Sequence, residues 1–186
     1  MTRSSFRFTA LSLALTLSLA GVASAQSNNS AQADRAAPNP SAMTNAPDAK
    51  FVEAASAAGL AEVALGKLGA EKGQSDDVKT FGQQMVDDHT KANDELKTIA
   101  SGKSIPVSQL PMASDTKAAA MIGNKTGPEF DAAFKKKMVA DHEKVVKLFT
   151  KESTSGKDPD LKAFASKTLP TLQHHLQEAK ALPASK

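Results

Sequence analysis

The sequence predicts an all-α fold, a four-helix bundle built from two helical hairpins joined by a longer connection that carries a short extra helix. Three observations predict it. Four long segments place apolar residues three and four positions apart, the spacing of one buried helix face. Glycine, serine and proline punctuate the chain between them, tightly after the first and third segments and loosely after the second. A motif on the second segment recurs at the same internal spacing on the third.

The first 25 of the 186 residues stand apart from the fold. Arg3 and Arg7 supply a basic start, Leu11 to Leu19 an apolar run, and Ala23-Ser24-Ala25 the small residues a signal peptidase reads. The run is shorter than the ~20 residues a membrane span needs. A secretory leader cut after Ala25 is expected, with the mature chain periplasmic or secreted and without a transmembrane segment. There is no cysteine, so no disulfide holds the fold and no lipid-acceptor thiol follows the leader. Residues 26–47 are rich in Ala, Ser, Asn, Gln and Pro and nearly free of large apolar side chains, the composition of a disordered linker.

The first long helix is expected from Asp48 to Lys72, stopped by Gly73. Ser75 caps the second, Asp76 and Asp77 favour its positive end, and it is expected to run to Ala100, ended by Ser101-Gly102. A loop with Pro106 and Pro111 leads to a short helix from Ser114 to Ile122. The third long helix opens at Gly127-Pro128-Glu129 and runs to Glu152, with Ser153 to Lys157 as a turn. The fourth starts at Asp158-Pro159 and runs to Leu182, with Pro170 expected to kink or break it. The bundle domain therefore spans 48–182, followed by a tail at 183–186. Two hairpins with one longer link are the connectivity of ferritin-like folds.

Charge excludes some partners. Two of the 23 basic residues are Arg3 and Arg7, and the other 21 nearly balance 20 acidic ones that alternate with them in sign. Lys135-Lys136-Lys137 reads as the outer face of a helix. With no Trp or Tyr, nucleic-acid binding has no support. There is no cysteine nucleophile, no Gly-x-Ser-x-Gly turn and no phosphate-cradling glycine loop.

Each predicted apolar stripe contains one ionisable side chain. The stripes read Phe51, Ala55, Ala58, Glu62, Leu65; then Val78, Phe81, Met85, His89, Ala92, Leu96, Ile99; then Phe130, Phe134, Met138, His142, Val145, Phe149. The fourth reads Leu161, Ala165, Thr168, Leu172, His175, Ala179, Leu182. In an up-and-down bundle Glu62, His89, His142 and His175 converge at one level. Four polar groups in an apolar seam demand mutual satisfaction, because burying one unpaired costs several kcal/mol. Two arrangements satisfy them: a divalent transition metal (Zn, Fe, Mn or Cu) or a Glu-His hydrogen-bond network. A one-position rotation of the helices instead turns Asp88 and Asp141 inward and leaves the histidines at the rim. His174, spaced with Thr171 and Glu178, is expected to face solvent.

The repeat is Phe81-x-x-x-Met85-Val86-x-Asp88-His89-x-Lys91 and Phe134-x-x-x-Met138-Val139-x-Asp141-His142-x-Lys144, and Val78-Lys79-x-Phe81 has an echo in Leu161-Lys162-x-Phe164. With Glu62-Val63, Leu65-Gly66-Lys67-Leu68 and Thr168-Leu169-Pro170-x-Leu172-x-x-His175-Leu176, these segments resemble the exported bacterial family called domain of unknown function 4142. The resemblance covers Phe51 to Leu182. It implies a ferritin-like bundle in an exported or outer-membrane-associated protein and carries no activity with it. Di-iron carboxylate bundles use Glu-x-x-His pairs, whereas Val86, Val139 and Leu172 stand three residues before the histidines here. The sequence thus favours a non-enzymatic exported bundle binding a metal ion or small ligand in its core, with envelope stress as a role by analogy to the family. A metal-dependent oxidoreductase and a purely structural or partner-binding envelope protein are the alternatives.

Overall fold

The computed structural model describes residues 47–183; the expected leader, nearly all of the expected linker and residues 184–186 lie outside them. Five helices follow in order: α1 (Pro47–Lys72), α2 (Asp76–Gly102), α3 (Ala113–Gly123), α4 (Gly127–Ser155) and α5 (Pro159–Ala181). There is no strand among the described residues. The expected all-α bundle is what the chain forms. α1 pairs with α2 and α4 with α5 as hairpins; α1 then packs on α4, α2 on α5, and the short α3 lies against α1 and α4.

Local chemistry sets the boundaries. Ser75 caps α2, its hydroxyl accepting from the Val78 amide, and Asp158 caps α5 by accepting from Asp160 and Leu161. α1 gives way to a turn at Gly73, whose amide donates to the Gly69 carbonyl at 2.9 Å, and a Cβ there would stand 2.7 Å from that oxygen, so the position favours glycine. Gly127 opens α4 at φ +57, a conformation that favours glycine. α4 runs into the expected turn as far as Ser155: the Ser153 and Thr154 hydroxyls donate back to the Thr150 carbonyl, so these residues ride within the helix. α5 continues unbroken through Pro170.

The interior divides into two apolar clusters. One gathers Phe51, Val52, Leu96, Phe149, Leu161 and Phe164. The other gathers Leu65, Val78, Met85, Phe130, Phe134 and Met138. Along every long helix the ionisable residue of the stripe falls between the two clusters, so a polar layer separates two greasy ones. Close helix contact supports that layer. A Cβ on Gly82 would stand 2.4 Å from the Ala70 nitrogen and 2.7 Å from the Gly66 oxygen, which brings α1 and α2 into backbone contact.

The two hairpins are also locked to each other at their ends. Asp131, near the start of α4, accepts from the Gln74 and Ser75 amides in the α1–α2 turn, at 2.8 and 3.0 Å. Asp48, near the start of α1, accepts from the Lys157 and Asp158 amides in the α4–α5 turn, at 3.0 and 2.7 Å. Each hairpin thereby supplies a carboxylate to the turn of the other, which satisfies turn amides that otherwise lack partners.

The lysine run is not simply a solvated face. Lys136 is exposed, but Lys135 donates to the Leu182 carbonyl and Lys137 is largely covered, paired with Asp115 and Asp141. The arrival of α3 against α4 draws Lys137 inward.

A candidate metal centre of three histidines

His89 on α2, His142 on α4 and His175 on α5 point into the polar layer and are 6%, 1% and 1% exposed. Their ring centroids form a triangle with every side 5.5 Å. One ring nitrogen from each lies within 4.8 Å of the others.

Hydrogen bonds fix the bare nitrogen on two of the three rings. His142 Nδ1 stands 3.0 Å from the Met138 carbonyl oxygen, which can only accept, so Nδ1 carries the proton and Nε2 a lone pair. His175 Nε2 stands 2.9 Å from Asp88 Oδ2, so Nε2 donates to the carboxylate and Nδ1 is bare. His142 Nε2, His175 Nδ1 and His89 Nε2 are all buried without a hydrogen-bond partner.

Burial also keeps the rings neutral. It lowers the pKa of His89 well below the ordinary value, with His142 and His175 adding to the effect. It takes His142 down to about 4 against a raising contribution from the Met138 hydrogen bond. His175 is lowered by burial too, partly offset by Asp88. Neutral imidazoles at neutral pH are the form that binds a metal, with no proton to displace.

Glu62 on α1 is 1% exposed and reaches the same layer, but it is not one of the three. Its Oε1 lies 3.8 Å from His142 Nδ1, the nitrogen already bonded to Met138, and its Oε2 has no partner. Burial, then the nearby Asp141 carboxylate, raises its pKa well above the ordinary value. A cavity of about 20 Å³ touches Glu62 and His89 on the side of Leu96 and Phe149.

The two aspartates of the repeat have different fates. Asp88 is partly exposed at the rim and bonded to His175, the contact by which carboxylates orient metal-ligating imidazoles. Asp141 is buried but turned aside to Lys137. The helices therefore stand with the histidines inward, not rotated to bring both aspartates in. His174 is exposed beside Glu178, as its spacing predicts.

The sequence reading missed three buried carboxylates, Asp48, Asp131 and Glu152. The first two serve distant turns, and no local spacing signals that. Phe164 was also missed from the fourth stripe, although its echo of Phe81 marked it.

No curated protein and no solved structure matches the chain. A family match covers residues 32–182, which takes in all five helices and the three histidines. By that match, over most of its length, the chain belongs to the family described as domain of unknown function (DUF4142).

Proposed function

We propose that this protein is an exported binder of one divalent transition metal ion, held in the bundle core by His89, His142 and His175. The observation that carries the reading is the convergence of three imidazole nitrogens in a buried layer, none of which has a hydrogen-bond partner. A cation between them would turn mutual lone-pair repulsion into coordination. Three nitrogens at ~2.1 Å from one ion stand roughly 3.4 Å apart, so ring rotations of about an ångström would close the site. Neutral imidazoles with a carboxylate nearby suit Zn, Fe, Mn or Cu. Asp88 and the Met138 carbonyl would orient two of the rings, and Glu62 would place a carboxyl beside His142.

The leader with its Ala23-Ser24-Ala25 cleavage pattern supports export to the periplasm. No helix among the described residues is long and apolar enough to cross a membrane. Binding rather than oxidative catalysis is favoured because the carboxylate-rich Glu-x-x-His pattern of oxygen-activating bundles is missing.

Elemental analysis of protein purified from the periplasm tests the reading. One equivalent of a transition metal per chain is expected, falling to background in His89→Ala/His142→Ala. Metal-free protein that also takes up none on dialysis against Zn(II) or Cu(II) would overturn the proposal.

A further inference from the structure

A groove of about 290 Å³ opens between α1, α4 and the segment leading into α3. Its floor is small and apolar, with Ala54, Ala58 and Ala61 on α1. At its inner end stands Glu62, whose Oε2 is buried and unpartnered. Glu62, Ala58 and Val145 line both this groove and the small cavity that reaches His89, so these three form a neck between solvent and the histidine layer. Asp115 and Asp141 flank the mouth, and the Lys137 ammonium bridges them.

We propose that this groove is the way by which a divalent cation reaches the three histidines, Glu62 being the side chain that passes it inward, its carboxyl giving up a proton as the ion arrives, and Lys137 a built-in counter-ion at the mouth. The inference rests on the metal-binding reading above and adds a path and a control to it.

The charge pattern fits a cation route. Two aspartates at the mouth attract a divalent ion, and the buried Glu62 oxygen beyond them offers the next ligand where the apolar floor offers none. Lys137 and Lys144, the latter also beside Asp141, offset the two mouth carboxylates. An arriving dication can take over from Lys137, whose side chain is then free to swing to solvent. On the other side of the layer the His175 ring is 1% exposed and tied to Asp88, so that ring offers no open approach. The short helix of the long connection thus has a task. α3 carries Asp115 and is anchored at its other end by Lys72 on the Gly123 carbonyl, which sets the outer wall of the groove.

The test is stopped-flow association of Co(II) alone with the full chain, followed by the visible absorption that cobalt gains on nitrogen coordination. Ala58→Leu, which fills the neck, should slow association about tenfold with stoichiometry unchanged. Lys137→Gln should speed it about threefold at low salt, and the gain should vanish above roughly 0.3 M salt as the mouth charges are screened. Lys137→Gln keeps the test decisive if Ala58→Leu fails to fold. Wild-type rates in both variants would overturn the route while leaving the metal site intact. Wild-type protein that binds no cobalt would overturn the site and the route together.

Discussion

His142 and His175 are each held by one ring nitrogen and left bare at the other, the arrangement in which a core histidine can coordinate a metal. The holding partners differ, a backbone carbonyl of the same helix for one and a carboxylate from a neighbouring helix for the other. The histidines were legible in the sequence because each interrupts an apolar stripe and two share a repeated Met-Val-x-Asp-His segment. Asp88 was legible as a candidate but not in its role, because its partner is on another helix. Glu152 gave no signal at all. It lies under the α4–α5 turn, where burial first, and then Asp48 and Asp158, raise its pKa from 4.5 to about 7. A carboxyl raised in this way favours the folded state fully below pH 4.5, and that contribution is lost as the pH rises through 7. Glu152→Gln keeps the shape without the charge. It should be more stable than wild type at pH 8, with the difference gone by pH 4.5, in urea unfolding at the two pH values. Equal stability at pH 8 would mean that the carboxyl is not penalised there.

At the scale of elements, capping residues made the boundaries readable: Ser75, Gly73, Gly127 and Asp158 all act where their chemistry suggests. The overrun of α4 into Ser155 was not readable, since hydroxyl groups that favour turns can also bond back along a helix. Glycines separate packing from propensity. Gly82 is pressed against the backbone of α1, whereas a Cβ on Gly102 would meet nothing within 4 Å. Gly82→Ala should therefore destabilise by about 1–3 kcal/mol despite the helix-propensity gain. Gly102→Ala should be neutral or stabilise by up to about 1 kcal/mol. Thermal unfolding of both checks the pair, and a Gly82→Ala protein as stable as wild type would refute the close α1–α2 contact.

For the molecule as a whole, link length was enough to pair the helices, because short turns force neighbours to be antiparallel. The reciprocal locks of Asp48 and Asp131, and the groove under α3, arise only when two hairpins meet, so neither has a sequence signature. The same meeting creates the polar layer. Two apolar clusters would pack more cheaply without four ionisable groups between them, since unpaired burial of each costs several kcal/mol. In the proposed function a bound cation removes that cost. The most direct measurement is anomalous diffraction from crystals of the protein soaked in Zn(II), collected above and below the zinc edge. The account predicts a single peak bonded to His89 Nε2, His142 Nε2 and His175 Nδ1. Zinc only at surface carboxylates, with the triangle of rings empty, would contradict it.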